Sequence, residues 1–481
     1  MLVKSKRSLL AVRRASETNS KVQPLDQVQV ESSSTEECKE SNKPEISHRH
    51  NIKMVTQSID TVLYDLSIPA ISTLQQQLGG QSQLMQSLSI VFDPKYAFLI
   101  YSPIAYLLDK NVGKKLIMTT VIAEWLNQIL KWLLHGERPY WYVHSSGHFD
   151  PKQTPVTQFP VTCELGPGHP SGHAMLTSAV WYVILSSLLQ AYKNHYKNNC
   201  LLETNTSTTT INRSSNNNNN NHVAGHLTKP KPPSQLALNS MPNAAQEAKL
   251  PHLSLVRSFT WSLYVGLVLA VSVSRVFLGC HFPHQCLAGA ALGLLLARWI
   301  CSLDTKASHY VGASAFMLST AFGTFGLMQA FGFDPAWTIQ LAMKHCVKRE
   351  YIHLDTAPFF SIMRYCGFAL GCGIGLMYPL KRYTNVLVSL GSNSSPTTLA
   401  TKDGATSDND LIDFSDDTDV AAKDASTSRA MSWLSAKILM ALIMARLLDN
   451  LGAFVSHSNL TVFYSAAFAA YTLFSYAFIN L

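Results

Sequence analysis

Three short segments of this chain carry residue types that could bind a phosphate group and cleave its ester. They read KWLLHGERP (131–139), GHPSGHAM (168–175) and SRVFLGCHFPHQ (274–285). Together they supply three cations and two histidines: Lys131, Arg138, Arg275, His173 and His281. Fixed cations bind and stabilise a phosphate dianion, while one imidazole attacks phosphorus and the other protonates the departing oxygen. The set predicts a phosphatase.

The first segment places two cations at the end of an apolar stretch. Lys131 and Arg138 are seven residues apart, which is about 700° on a helix, so both should point in nearly the same direction. Pro139 should then interrupt the helix. By itself, such a pair could equally be a basic anchor that flanks a membrane span.

The second segment predicts the N-terminus of a helix. Free N–H groups and a partial positive charge at such an end suit phosphate oxygens. Ser171 could donate a further hydrogen bond, Gly172 allows close approach, and His173 enters from the first turn. An ordinary Ser/Gly start of a helix would look the same. His169 is interpreted as a loop residue.

The third segment must bend between its two functional residues. Arg275 and His281 are six apart, about 240° on a helix, so they would not share a helical face. Gly279 and Pro283 offer a break in the helix. We therefore expect Arg275 to bind phosphate from a helix end and His281 to reach it from a loop.

Nine apolar stretches could hold these segments in a membrane, since a span needs about 20 residues. They lie near 88–108, 116–134, 173–192, 257–278, 282–303, 310–331, 358–379, 430–450 and 460–480. The first is interrupted by Asp93 and Lys95. The chain is 47% hydrophobic and 14% charged, whereas soluble proteins average about 25% charged residues. We expect an all-α, polytopic membrane protein with about nine transmembrane helices.

Three polar segments separate the predicted membrane regions 54–192, 254–380 and 430–481. They are an N-terminal tail (1–53), a Thr-, Ser- and Asn-rich segment (193–253) and an acidic segment (381–429). Each has too few apolar residues to build a core, so we expect a disordered tail and two disordered cytosolic loops. The nine cysteines include no CxxC pair and are interpreted as small buried hydrophobic residues, not as a disulfide framework or a zinc site.

Charge predicts which membrane face carries the three segments. Successive spans alternate sides, so all three segments emerge at one face. Lysines gather at the other face, at Lys110, Lys114 and Lys115 and again after span three. The positive-inside rule makes that second face cytosolic, so the site should be lumenal or extracellular. The net charge of +8 is spread out, with no basic helix of the kind that binds nucleic acid.

The series K-x6-RP, PSGH and SR-x5-H resembles the type 2 phosphatidic acid phosphatase superfamily, which also includes vanadium haloperoxidases. Within it, KWLLHGERPYWYV (131–143), FPVTCELGPGHPSGHAM (159–175), SRVFLGCHFPHQ and EYIHLDTAPF (350–359) are most similar to the glucose-6-phosphatase branch. The resemblance implies the helical core of that superfamily, nine spans and residence in the endoplasmic reticulum membrane. It also implies a lumenal site, so a separate glucose-6-phosphate transporter would have to bring the substrate into the lumen.

The resemblance further implies the chemistry. Glucose-6-phosphate would be hydrolysed to glucose and phosphate through a phosphohistidine, as in gluconeogenesis and glucose homeostasis, with no metal and no cofactor. His281 would be the nucleophile and His173 the general acid and base. The phosphate would be bound by a set of five residues: Lys131, Arg138, Arg275, Ser171 and Gly172.

One position distinguishes two substrate classes within the superfamily. Lipid phosphatases carry an Asp four residues after the nucleophile, where this chain has Gln285, as the glucose-6-phosphatase branch does in HFPHQ. This favours a sugar phosphate over a lipid phosphate. A lipid phosphate phosphatase and a catalytically weak regulatory membrane protein of the same family remain as alternatives. A transporter would require inverted repeats and broken helices, which the sequence does not display.

Overall fold

A computed structural model describes residues 50–150, 152, 156–215, 251–353, 356–380, 431–447 and 460–481. In this part of the chain the only β-type pairing is an isolated bridge between Glu164 and His353, which confirms the all-α expectation. The α-helices are α1 (His50–Gln77), α2 (Ser82–Val91), α3 (Pro94–Tyr96), α4 (Ser102–Leu108), α5 (Lys110–Leu134), α6 (Pro139–Ser145), α7 (Gly172–Ser215), α8 (Pro251–Phe277), α9 (Pro283–Cys301), α10 (Ala307–Ala330), α11 (Trp337–His345), α12 (Pro358–Met377), α13 (431–447) and α14 (Leu460–Asn480).

Five helices are long and apolar enough to cross a bilayer. They are Gly172–Tyr196 within α7, Leu253–Phe277 within α8, all of α9, all of α10 and Phe359–Met377 within α12. These segments coincide with the predicted spans near 173–192, 257–278, 282–303, 310–331 and 358–379. The chain is therefore a multi-pass membrane protein, and the number of nine spans stays a prediction.

The predicted span at 88–108 is not one continuous helix. Helix α2 ends at Val91, and Asp93 caps α3 by accepting a hydrogen bond from the Lys95 N–H at 2.9 Å. Pro94 occupies the first position of α3, where its missing N–H costs nothing. A π-helical turn (Ala97–Tyr101) then leads into α4. The break brings Asp93 close to the site described below.

The polar segment predicted as a loop at 193–253 is partly helical. Helix α7 continues to Ser215, and α8 already begins at Pro251. Adding residues to an existing helix costs far less than starting one, so a long span can carry a polar extension. Residues 216–250, and with them most of this loop, lie outside the described residues. So do 1–49 of the N-terminal tail and all of the acidic loop at 381–429.

The helices that carry the three segments pack directly on one another. Helix α7 contacts α5, α8 and α9, and α12 contacts α5, α10 and α14. Two glycines of α9 allow its close approach to α7. A Cβ at Gly289 would lie 2.5 Å from the Ser171 carbonyl oxygen, and one at Gly293 would lie 2.1 Å from that of Met175. The backbones of α7 and α9 therefore touch.

Candidate active site

The predicted site residues meet around a carboxylate that sequence analysis did not single out. Glu164 lies in the loop before α7, and its side chain is 8% exposed. Its Oε2 is 2.9 Å from Arg138 Nη2 and 3.9 Å from His281 Nε2. Its Oε1 pairs with Arg275 Nη2 and lies 3.8 Å from His173 Nδ1. One carboxylate thus contacts residues from all three segments.

Arg138 reaches this position in a way that the helical spacing did not predict. Helix α5 ends at Leu134, and His135 follows in the left-handed conformation with φ 52°. Arg138 itself is extended, with φ −122° and ψ 146°, directly before Pro139. Because a proline disfavours helical backbone at the preceding residue, the expectation that Lys131 and Arg138 share one helical face was wrong.

The guanidinium of Arg138 is buried, and each of its donors has a partner. Nε and Nη2 donate to the carbonyl oxygens of Gly166 at 2.7 Å and Pro167 at 3.1 Å. Nη1 donates to the Cys280 carbonyl oxygen at 3.0 Å and to His281 Nε2 at 3.3 Å. With the Glu164 ion pair, these contacts use the five N–H groups that an arginine has.

The third segment bends as predicted. Helix α8 ends at Phe277, Gly279 takes φ +66°, and α9 begins at Pro283. Arg275, in the last turn of α8, donates to Ser89 Oγ and to Glu164. Its Nε is buried and has no hydrogen-bond partner in the described part of the chain.

His281 is held as a neutral imidazole with one defined tautomer. Its Nδ1 lies 2.8 Å from the Gly168 carbonyl oxygen, which can only accept, so Nδ1 carries the proton. Nε2 is then unprotonated, and its lone pair accepts the hydrogen bond from Arg138 Nη1. Burial, reinforced by the charge of Arg138, holds the pKa of His281 well below its usual range. Gln285 Oε1 is a more distant second acceptor, at 3.3 Å from Nδ1.

The second segment begins α7 and brings His173 beside two carboxylates. Ser171 donates its N–H to the Gln285 carbonyl oxygen at 3.0 Å and is fully buried. A Cβ at Gly172 would lie 3.1 Å from Asn127 Oδ1, so this glycine allows α7 to approach α5. His173 Nε2 is 4.0 Å from Asp93 Oδ2, on the side opposite Glu164.

Lys131 lies in the last turn of α5, at the edge of the same group. Its charge interacts with those of Arg138, Glu164 and Arg275.

Burial would raise the pKa of Glu164, but the two arginines hold it well below its usual range. The described residues contain no group of three or more His, Cys, Asp or Glu side chains placed to hold a metal ion.

Sequence reasoning missed Glu164 and Asp93, although each left a signal. Glu164 is the only acidic residue in FPVTCELGPGHPSGHAM, and buried arginines require a counterion. Asp93 was treated only as an interruption of an apolar stretch. A carboxylate at such a position is by default a candidate for function.

A disulfide fixes the loop that carries Glu164. Cys163 and Cys346 are bonded, with their Cα atoms 6.0 Å apart, although 183 residues separate them in sequence. The interpretation of the cysteines as buried hydrophobic residues was wrong for this pair. It is confirmed for Cys366 and Cys372, which are free and fully buried. Spacing could not reveal a pair that only tertiary folding brings together.

The chain is similar to several known proteins. Residues 113–308 match the PAP2 superfamily. Glucose-6-phosphatase catalytic subunit 1 of Haplochromis nubilus is 33% identical over 337 residues, which cover 68% of this chain and 80% of that protein. Glucose-6-phosphatase 3 of Homo sapiens is 34% identical over 64% of this chain and 73% of its own. Glucose-6-phosphatase 2 of Mus musculus is 31% identical over 65% and 76%. No solved structure matches.

Proposed function

This chain belongs to the glucose-6-phosphatase family of the PAP2 superfamily, and from that membership we propose that it hydrolyses glucose-6-phosphate in the lumen of the endoplasmic reticulum. As a member of this family it is a membrane-bound phosphoric monoester hydrolase that acts on a sugar phosphate. The products are glucose and inorganic phosphate, and the reaction proceeds through a phosphohistidine.

The phosphate of the substrate binds where the cations of the three segments meet. Arg138 and Arg275 contact its oxygens, Lys131 adds a third positive charge, and the N-terminus of α7 at Ser171 and Gly172 completes the pocket. Fixed positive charges in a buried site stabilise the charge that spreads over the equatorial oxygens in the transition state.

His281 is the nucleophile, and the hydrogen bond from its Nδ1 to the Gly168 carbonyl oxygen is the observation that carries this proposal. A backbone carbonyl fixes the tautomer without charging the ring, so Nε2 keeps its lone pair. That lone pair faces Arg138 at 3.3 Å, and it lies 3.9 Å from the carboxylate of Glu164, which pairs with both arginines. Attack by Nε2 on phosphorus forms the N–P bond as the bond to the sugar oxygen breaks.

His173 is the general acid and base. Its two ring nitrogens lie 3.8 Å from Glu164 and 4.0 Å from Asp93, so each can pass a proton to or from a neighbouring oxygen. It protonates the departing sugar oxygen and then removes a proton from the water that attacks the phosphohistidine. The water oxygen bonds to phosphorus as the N–P bond to His281 Nε2 breaks. Inorganic phosphate is released, and both histidines return to their starting states.

Two observations support a lumenal site. The Cys163–Cys346 disulfide lies beside Glu164, and such bonds form in the endoplasmic reticulum lumen but rarely in the cytosol. At the other end of the bundle, Lys115 Nζ donates to the Cys301 carbonyl oxygen, where α9 ends. The lysine-rich end is therefore opposite the site, as the positive-inside rule requires. A lumenal site needs a separate glucose-6-phosphate transporter as a partner.

Phosphate release from glucose-6-phosphate by microsomes that contain this chain tests the proposal. We expect detergent-permeabilised microsomes to release phosphate, and intact ones to release it more slowly because the membrane limits access. Microsomes with the His281→Ala variant are the matched control. Faster release from a lipid phosphate than from glucose-6-phosphate would instead support a lipid phosphate phosphatase.

A further inference from the structure

The carboxylate of Glu164 already forms ion pairs with the arginines that are proposed to bind the substrate's phosphate. Its two oxygens pair with Arg138 and Arg275, one oxygen each, and both histidines lie within 4.0 Å. A planar anion that bridges two guanidinium groups makes the same type of contact as two oxygens of a phosphate group. Glu164 and the phosphate therefore compete for one position.

Arg138 can offer a ligand only two of its five N–H donors. Three of its N–H groups donate to the backbone carbonyl oxygens of Gly166, Pro167 and Cys280, which are parts of the loops that form the site. Only the donors to Glu164 and His281 can be given up without breaking those loops. The donor to His281 Nε2 is released when that lone pair attacks phosphorus. The donor to Glu164 becomes available to a phosphate oxygen only when the carboxylate leaves.

The backbone around Glu164 is fixed, so only its side chain can move. Cys163 is tied to Cys346, and its carbonyl oxygen accepts the His353 N–H at 3.2 Å. The Leu165 N–H donates to Thr356 Oγ1 at 3.0 Å, and the Glu164 carbonyl oxygen accepts the hydroxyl of Tyr140 at 3.0 Å. Release of the carboxylate is thus a rotation of one side chain.

We propose that the Glu164 carboxylate holds the place of the substrate's phosphate in the free enzyme, and that a phosphate dianion binds by displacing it. The inference rests on the proposed function of the site. A dianion among the cations Lys131, Arg138 and Arg275 is electrostatically favoured over the single charge of a carboxylate, whereas a neutral hydroxyl or water is not. Glu164 therefore selects for dianionic ligands.

The same competition acts on the product. Inorganic phosphate left in the site after turnover must leave before the next substrate enters. When the carboxylate returns to the arginines, it replaces the contacts that the phosphate loses. The site binds a ligand only while Glu164 is displaced. Its apparent affinity for that ligand is therefore the intrinsic affinity multiplied by the fraction of time that the site is open.

The test is inhibition of glucose-6-phosphate hydrolysis by inorganic phosphate, measured on the full chain in detergent. Glu164→Gln removes the charge, and Glu164→Asp keeps the charge but is too short to bridge both arginines. We expect both variants to lower the inhibition constant of phosphate, by about tenfold or more for the glutamine variant. Asp65→Asn is the control, because Asp65 bonds Tyr142 and His148 rather than the arginines.

Each other outcome is decisive. An unchanged or raised inhibition constant in both variants overturns the inference, while continued hydrolysis leaves the proposed function standing. A lower inhibition constant in Glu164→Gln but not in Glu164→Asp would mean that Glu164 acts through its charge alone, and this result also overturns the inference. A structure of the unmodified chain with bound vanadate is a second test, which does not depend on whether the variants fold. A Glu164 carboxylate that no longer contacts Arg138 and Arg275 supports displacement, and one that still bridges them refutes it. An unmodified chain that hydrolyses no sugar phosphate overturns the proposed function as well.

Discussion

The Nδ1 atom of His281 lies 2.8 Å from the carbonyl oxygen of Gly168, which joins the third segment to the second. Gln285, one turn into α9, adds a link to the first segment, since its Nε2 donates to the Glu137 carbonyl oxygen at 2.8 Å. The Gly168 carbonyl thus performs the orienting task that an Asp performs in the lipid phosphatases of the superfamily. It fixes the His281 ring without adding a negative charge to a buried pocket.

The nucleophile can be identified by trapping. His281→Ala should lower turnover by at least about 1000-fold, because the variant lacks the nitrogen that is proposed to attack phosphorus. Labelled glucose-6-phosphate, quenched under alkaline conditions, should leave label on His281 of the unmodified chain. His284→Ala is the control and should keep the label, since His284 stacks on Phe282 instead of contacting the arginines. Label on His173 would reverse the two roles.

The geometry of Arg138 predicts that lysine cannot replace it. Lysine carries a similar charge but has three donors and no planar fork, so it cannot serve three carbonyl oxygens and a phosphate together. Arg138→Lys should lower kcat/KM by about 100-fold or more, measured as phosphate release. Arg298→Lys, at an exposed arginine near the end of α9, should change little. Near-normal kcat/KM in Arg138→Lys would mean that charge alone suffices.

Metal removal should not stop the reaction. The positive charges of the proposed site are side chains, so activity should survive EDTA. Vanadate should inhibit because its trigonal-bipyramidal form resembles the phosphoryl transition state. Both effects are read from initial rates of phosphate release, and Arg138→Ala should weaken vanadate inhibition. Activity that EDTA abolishes and added Mg²⁺ restores would refute this mechanism.

The disulfide should stabilise the loop that carries Glu164. Peptide mapping without reduction should recover Cys163 joined to Cys346. Cys346→Ser should cost about 2–4 kcal/mol of folding free energy, visible as a lower thermal midpoint in detergent. Cys301→Ser, at a free cysteine, should leave the midpoint unchanged. Free thiols at both Cys163 and Cys346 in protein from intact microsomes would remove this support for a lumenal site.

Glycosylation should report the topology. Sequons occur at Asn205, Asn212, Asn393 and Asn459. The first two lie on the polar extension of α7, and the last two lie outside the described residues. Parity places the first three in the cytosol, and Asn459 should be too close to the membrane for efficient modification. We therefore expect little or no N-glycan on the native chain.

An engineered sequon near Ser146 should be modified, since the segment after α6 lies on the side of the site. Ser146→Asn combined with His148→Thr creates one, at a half-buried and an exposed position. The measurement is a mobility shift that endoglycosidase H reverses. Modification of Asn205 or Asn212, with none at the engineered sequon, would place the site in the cytosol.

The sequence predicted most of what periodicity and local chemistry encode. Apolar stretches of about 20 residues fixed the five confirmed spans, because a bilayer imposes that length. The break between Arg275 and His281 followed from their angular separation and from Gly279 and Pro283. Local rules failed where two of them compete: a seven-residue spacing favoured one helix through Arg138, whereas Pro139 excluded helical backbone there.

The sequence by itself determined the residue types, the membrane class and the family, since those depend on composition, spacing and motifs. Only the tertiary structure decided how the residues are partnered. It placed Glu164 between two arginines, Asp93 beside His173, and Cys163 against Cys346. Such contacts join positions that are far apart along the chain, and their energy depends on distance and burial. Both quantities are set by how the helices pack, and no local pattern in the sequence records them.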